Sequence, residues 1–378
     1  MDHAQRAANA GFAVLLALTT SGGAAMAQRA AGLAVGGAHA CVWSADGTAR
    51  CWGRNDHGQL GDGAHTDHFV PTLVARLASV SEISLGREHS CAVVGGLVRC
   101  WGRNQSGQLG DGSTLDHSLP SPVPGIAQVV QLALGFHDSC ALRRDHTLRC
   151  WGWNEHAQLG EGSHIDRAFP VPVFGFIGVS EVRVGGGHFC ARLRSGDVRC
   201  WGRDGFGEVG DGRPGTNDRP HPVAVPGLTG VRQLSLGYSS SCAIGSDGVV
   251  QCWGGNDAGQ LADEGTTDRN VPAASRVAHA TQLSLGTNHG CAVLADASVR
   301  CWGHGEDGQL GNGGTVSSAE PVVVRGLANV VSVAAGDAFS CALTSDGAVS
   351  CWGRNDHGQL GDGTTVSRAL PALVRWGP

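Results

Sequence analysis

The sequence predicts an all-β chain folded as a seven-bladed β-propeller, with four-stranded antiparallel blades in a closed ring. Three observations predict it. Cys-Trp-Gly recurs seven times at a period near 50 residues, beginning at Cys51, Cys100, Cys150, Cys200, Cys252, Cys301 and Cys351. Between these marks, short runs alternate apolar and polar residues, the period-two signature of strands. Sixty of the 378 residues are glycine, a share roughly twice the usual one that suits many tight turns.

Taken in order, each copy divides into four strand-like pieces. The first is an alternating run ending in glycine, such as Glu82-Ile83-Ser84-Leu85-Gly86 or Gln233-Leu234-Ser235-Leu236-Gly237. The second begins at a cysteine ten residues before Cys-Trp-Gly (nine in the second copy), as in Cys341-Ala342-Leu343. The third leads into Cys-Trp-Gly, and the fourth follows a proline, as in Pro321-Val322-Val323-Val324. A glycine-rich loop, Gly58-Gln59-Leu60-Gly61-Asp62-Gly63 in the first copy, separates the third piece from the fourth.

The upstream cysteines are Cys41, Cys91, Cys140, Cys190, Cys242, Cys291 and Cys341; with those of Cys-Trp-Gly they account for all fourteen. Pairing Cys41 with Cys51 leaves a hairpin loop Ala45-Asp46-Gly47, whose third position favours a left-handed residue. Gly47, Gly196, Gly248 and Gly347 occupy that place, and His146 and Ala297 are the exceptions. In the shorter second copy the turn becomes Gly95-Gly96, a two-residue type that keeps Cys91 facing Cys100. One disulfide per copy is therefore expected, each contributing roughly 2.5–3 kcal/mol by loop closure. Zinc is the rival reading, since His39, Cys41 and Cys51 offer three ligands. Yet the histidine gives way to Asp138, Ser240 and Phe339 in copies three, five and seven while both cysteines persist.

Residues 1–27 read as a secretory signal peptide: Arg6, an apolar run from Gly11 to Thr19, then Ala25-Met26-Ala27 before Gln28. Residues 28–378 are then a single propeller of seven repeats. The repeats open with the strand Leu33-Ala34-Val35-Gly36 and end with Pro371-Ala372-Leu373-Val374. This phase predicts one blade built from both termini, closing the ring like a clasp. An even cysteine count behind a signal points to an oxidising compartment, secreted or periplasmic.

All 27 basic residues are arginine, so lysine chemistry such as a Schiff base or a phosphate-loop lysine is absent. Net charge is −6 with both signs interspersed, which excludes the basic stripe that nucleic acid binding needs. No segment after the signal is apolar enough to anchor in a membrane. One acid per glycine-rich loop (Asp62, Asp111, Glu161, Asp211, Asp263, Asp362) falls short of a calcium loop. No nucleophile elbow accompanies the many serines and histidines. His39, His89, His188 and His289 recur at one place in the repeat, as do the seven tryptophans, and a group that every blade needs is a packing group. The expectation is a monomer without metal, cofactor or catalytic site.

The segments Gly86-Arg87-Glu88-His89-Ser90-Cys91-Ala92-Val93, Cys351-Trp352-Gly353-Arg354-Asn355 and Gly358-Gln359-Leu360-Gly361-Asp362-Gly363 resemble the repeat of the regulator of chromosome condensation family. The resemblance covers all seven copies, about residues 31–378, and implies the same seven-bladed propeller. Nuclear members of that family catalyse guanine-nucleotide exchange on a small GTPase and bind chromatin. An acidic chain with paired cysteines departs from the nuclear pattern. The family also includes a secreted bacterial propeller that inhibits β-lactamase, which implies a binding role in the compartment expected here.

Where the copies agree they define the scaffold, and where they differ they are free to specialise. The position after Cys-Trp-Gly holds Arg54, Arg103, Trp153, Arg203, Gly255, His304 and Arg354. The position before the loop glycine holds His57, Ser106, His156, Phe206, Ala258, Asp307 and His357. Arg54, His57, Arg103, Trp153, His156, Arg203, Phe206, His304, Arg354 and His357 are of types that anchor interfaces. They are the expected partner-binding residues, with Trp153, Phe206 and the arginines as the centre. The function expected is a secreted protein-binding scaffold, one form of which is an inhibitor of a secreted hydrolase. The alternatives are a lectin-like glycan binder using the repeated tryptophans and a hydrolase or lyase with a central-channel site.

Overall fold

The computed structural model describes residues 29–176, 178–213 and 217–376; the expected signal over residues 1–27 lies outside them. Seven four-stranded antiparallel sheets follow one another along the chain: blade 1 spans 30–73, blade 2 80–122, blade 3 129–172, blade 4 179–224, blade 5 233–274, blade 6 280–323 and blade 7 330–373. In blade 1 the inner strand Ala30–Val35 is followed by His39–Ser44, Ala49–Gly53 and the outer His68–Leu73. Inner strands of successive blades touch, and that of blade 7 touches that of blade 1, so the ring is closed.

Each blade uses four consecutive strands, which corrects the expectation of a blade shared between the termini. The outer strand folds back onto the strand that carries Cys-Trp-Gly, as in the register Cys351 with Ala372 and Gly353 with Arg368. Closure comes instead from the loop between the third and outer strands, which reaches across to the next blade. The Trp101 indole Nε1 donates to the Gln59 carbonyl at 2.9 Å, and across the closing seam Trp52 donates to Gln359 at 3.0 Å. Gly61, with φ +73°, lies where an added Cβ would come within 2.7 Å of Trp101. Only glycine allows that approach.

The cysteines pair as expected. All seven disulfides join the two middle strands of a blade at directly opposed positions, such as Cys41 with Cys51 and Cys91 with Cys100. Bonded to each other as disulfides, these sulfurs leave no thiolate to ligate zinc. The hairpin loops also hold: Gly47 has φ +79°, and the exceptions His146 and Ala297 take the same left-handed conformation at +65° and +62°. The prolines expected to precede the outer strands lie inside them, as Pro71 does in His68–Leu73. There they sit in the last strand of each sheet, which pairs on one side only, so a missing N–H costs no ladder bond and discourages edge-to-edge pairing.

The core is divided among the seams and does not sit on the axis. Between blades 1 and 2, Leu60, Val74, Leu77, Val80, Ile83, Ala92 and Trp101 pack with Cys41 and Cys51. All seven repeated tryptophans are fully buried in this way, so they are packing groups and not sugar platforms.

The recurrent histidines hold the same seams. His39 Nε2 lies 3.0 Å from Ser90 Oγ, His89 2.9 Å from Ser139, His188 2.8 Å from Ser241 and His289 2.9 Å from Ser340. Ser90 Oγ donates to the Gln59 carbonyl, so His39 donates through Nε2–H and its Nδ1 is left bare. Burial pushes all four imidazoles down to about 3; they are neutral struts. The exceptions obey the same logic. Blades with Asp138, Ser240 and Phe339 in the histidine place are followed by Phe189, Gly290 and Ala40 in place of the serine.

Candidate functional site

At one end of the propeller, the short loops between the inner and second strands ring the axis, and the long loops lie outside them. The position after Cys-Trp-Gly is tied to the inner loop of its own blade by a backbone bond. Arg54 N–H donates to Ala38, Arg103 to Glu88, Trp153 to His137, Arg203 to Gly187, His304 to Asn288 and Arg354 to Ala338. The position before the loop glycine is held by the glutamine two residues on: Gln59 Oε1 accepts from His57 N–H and Gln359 Oε1 from His357 N–H. With the backbone fixed by shared bonds, these side chains vary without cost to the scaffold.

The side chains separate into two sectors. Over blades 3 to 5, Trp153 packs edge-on against His156 at 5.1 Å and against His137 at 6.4 Å. The Arg203 guanidinium lies 5.2 Å from the ring centres of both Phe206 and Tyr238. Tyr238 meets Phe136 at 4.9 Å, bridging across the bare Gly186 of blade 4, and Arg87 covers the Phe136 ring at 4.7 Å. Together they form a continuous aromatic and arginine surface. Burial, and then the charge of Arg103, hold His137 down at about 4, so it belongs to this surface as a neutral ring.

The remaining expected residues are engaged with acids or amides of their own neighbourhood. Arg54 reaches Glu88 at 3.2 Å and Asp56 at 2.6 Å, and Arg103 also pairs with Glu88. Arg354 pairs with Asp356 at 2.7 Å, and His304 Nδ1 accepts from Gln309 Nε2 at 2.9 Å. His57, His156 and His357 clip one blade to the next through Asp116, Asp218 and Asp67, at 2.8, 2.9 and 2.8 Å. His57 and His357 therefore belong to adjacent blades but bridge different seams, His57 that of blades 1 and 2 and His357 the closing seam of blades 7 and 1.

Trp153, His156, Arg203 and Phe206 are thus brought together, whereas His304, Arg354 and His357 lie on other blades. Arg87, Phe136, His137 and Tyr238 were not anticipated. They occupy the variable places of the G-x-x-H element, where the first reads Gly37, Arg87, Phe136, Gly186, Tyr238, Thr287 and Asp337. Comparison between copies, applied to that column, would have found them.

Two repeat models, both described as regulator of chromosome condensation (RCC1) repeat, match the chain. One matches residues 31–59, 129–158, 179–208, 231–260, 280–309 and 330–359, and the other 46–93, 96–142, 145–192, 296–343 and 346–378. The fold is similar to that of Prp20p from Saccharomyces cerevisiae, studied with its binding to Gsp1p and histones. That match has 23% identity and a TM-score of 0.74, over 82% of this chain and 81% of that one. It is similar to yeast RCC1 (Prp20) bound by Kap60, at 21% identity and TM-score 0.78 over 96% and 90% of the two chains. Human WBSCR16 matches with 23% identity and TM-score 0.78 over 87% and 94%. The chain belongs to the regulator of chromosome condensation (RCC1) repeat family.

Proposed function

We propose that the chain is a secreted or periplasmic binding scaffold, without catalysis of its own, that grips a protein through the loop face over blades 3 to 5. One observation carries the reading. On a frame fixed by repeated backbone bonds, Trp153, His156, Arg203 and Phe206 join Phe136, His137 and Tyr238 in one surface. Aromatic residues and arginine gathered on a rigid base are the composition of an interface hot spot. Seven disulfides support an oxidising compartment. Similar propellers take protein partners, Gsp1p and histones in one case and Kap60 in another. A secreted hydrolase is the partner class we favour, which the scaffold would inhibit by occlusion.

Affinity capture from the native secretome, run with the mature chain and with Trp153→Ala and Phe206→Ala, tests it. The expected result is a partner whose retention falls about tenfold or more in each variant, and whose hydrolytic activity drops on binding the parent chain. Identical retention by all three proteins would overturn the reading.

A further inference from the structure

The three histidine–aspartate clips belong to a rule that runs round the ring. At the seam of blades 2 and 3 the hydroxyl of Ser106 stands in the donor place opposite the Asp166 carboxylate. Where the preceding blade offers Ala258 or Asp307, neither able to donate to a carboxylate, the acid is replaced by Ser317 or Ser367. Donor and acceptor thus change together at six seams. The seam between blades 4 and 5 breaks the rule: Phe206 stands in the donor place, yet Asp268 keeps its carboxylate.

Asp268 Oδ1 accepts the Asn256 N–H at 2.8 Å, and Oδ2 has no hydrogen bond or ion pair among the described residues. Arg269 pairs with Asp263 at 2.5 Å, and Arg219 and Arg213 with Asp211 at 2.7 and 3.7 Å, while Arg203 lies over the Phe206 ring at 5.2 Å. Phe206, Asp268 and Asn270 line an open cleft here with Gly205 and Gly207. Phe206 is 41% exposed. Asn270 Nδ2 is spent on the Arg213 carbonyl, and its Oδ1 accepts nothing among the described residues. The cleft therefore offers a carboxylate oxygen, an amide oxygen and an aromatic wall.

We propose that this cleft is a socket for one basic side chain, arginine above all, carried by the protein that docks on the loop face. The inference rests on that binding reading and adds the chemistry of the contact. A guanidinium supplies several N–H donors in one plane and an apolar face for the ring. It takes the place that a histidine fills at three other seams, so the partner completes the ring.

Nuclear magnetic resonance titration of the mature chain with N-acetyl-arginine methylamide tests the socket, with the citrulline analogue as the neutral match in shape. The arginine probe is expected to shift resonances of Phe206 and Asp268 and to bind about tenfold more tightly than citrulline, the worth of one charged hydrogen bond. Asp268→Asn, which keeps the Oδ1 acceptor for Asn256, is expected to remove that preference with the melting curve unchanged. Phe206→His, which restores the clip of the other seams, is expected to remove it too. Equal binding of the two probes, or an arginine preference that survives Asp268→Asn, would overturn the socket. Either result leaves the loop-face reading to its own test, because Trp153→Ala lies outside the cleft.

Discussion

The seam between blades 1 and 2 and the seam between blades 4 and 5 are alike in depth and unlike at the surface. In both, a buried tryptophan (Trp101, Trp253) and a serine (Ser90, Ser241) donate to one backbone carbonyl, that of Gln59 or Glu208. In both, a neutral histidine (His39, His188) braces the serine. Above this layer the first seam is shut by His57 and Asp116, while the second opens between Phe206 and Asp268. The repeat thus spends its identity on holding blades together and leaves a thin outer layer free to differ. Function is read in that layer.

The largest expected effect bears on the shared depth. Trp101→Ala and Trp253→Ala should each cost roughly 3–5 kcal/mol in guanidinium unfolding, because each empties a fully buried site. Losses differing by more than about 2 kcal/mol would break the equivalence of the two seams.

The histidine struts come next. His39→Phe alone should cost about 1–3 kcal/mol, since it leaves Ser90 facing an apolar ring. Adding Ser90→Ala should recover much of that loss, because the pair then copies Phe339 over Ala40 at the closing seam. A double mutant no better than the single one would show that the matched columns are not coupled.

The third effect separates the seams by pH. Glu208 is fully buried where the equivalent residue of the first seam is Gln59, and burial pushes its carboxyl from 4.5 up to about 7. The native chain then holds a proton that the unfolded chain has lost, so the stabilisation is complete below the unfolded value and fades as pH rises through the native one. Glu208→Gln should flatten that fall, narrowing the stability difference between roughly pH 5 and pH 8 by an amount on the order of 1–3 kcal/mol. A variant with the parent's pH profile would remove the proton from the account. The smallest effect belongs to the surface: His57→Phe, which imitates the open seam, should cost less than about 1 kcal/mol by thermal melting.

Much of the depth was legible in the sequence. The disulfides could be read because a deletion in the second copy shortened the turn to Gly95-Gly96 and left Cys91 facing Cys100, which only a constraint between cysteines explains. The histidines could be recognised as packing groups from recurrence alone. Their serine partners were missed because the bond runs to the next blade, about one repeat along the chain, and no single copy contains it. The clasp was misjudged for a related reason. The phase of the repeats does not say whether an outer strand pairs with the sheet before it or after it. Backbone register decides that, and the interlocking is left to loops such as Gln59 under Trp101. On the loop face, Trp153, His156, Arg203 and Phe206 were legible from disagreement between copies. Tyr238 and Phe136 were hidden inside an element that recurs as scaffold, although their own copies replace its histidine with Ser240 and Asp138.

Hydrogen–deuterium exchange of residues 28–378, alone and with the protein they capture, tests the central claim most directly. The account expects slowed exchange in the inner loops at residues 136–137 and 238 and in the long loops at 153–156 and 203–207, with blades 6, 7 and 1 unchanged. Protection concentrated on the hairpin turns at the opposite end, or spread evenly over all seven blades, would contradict it.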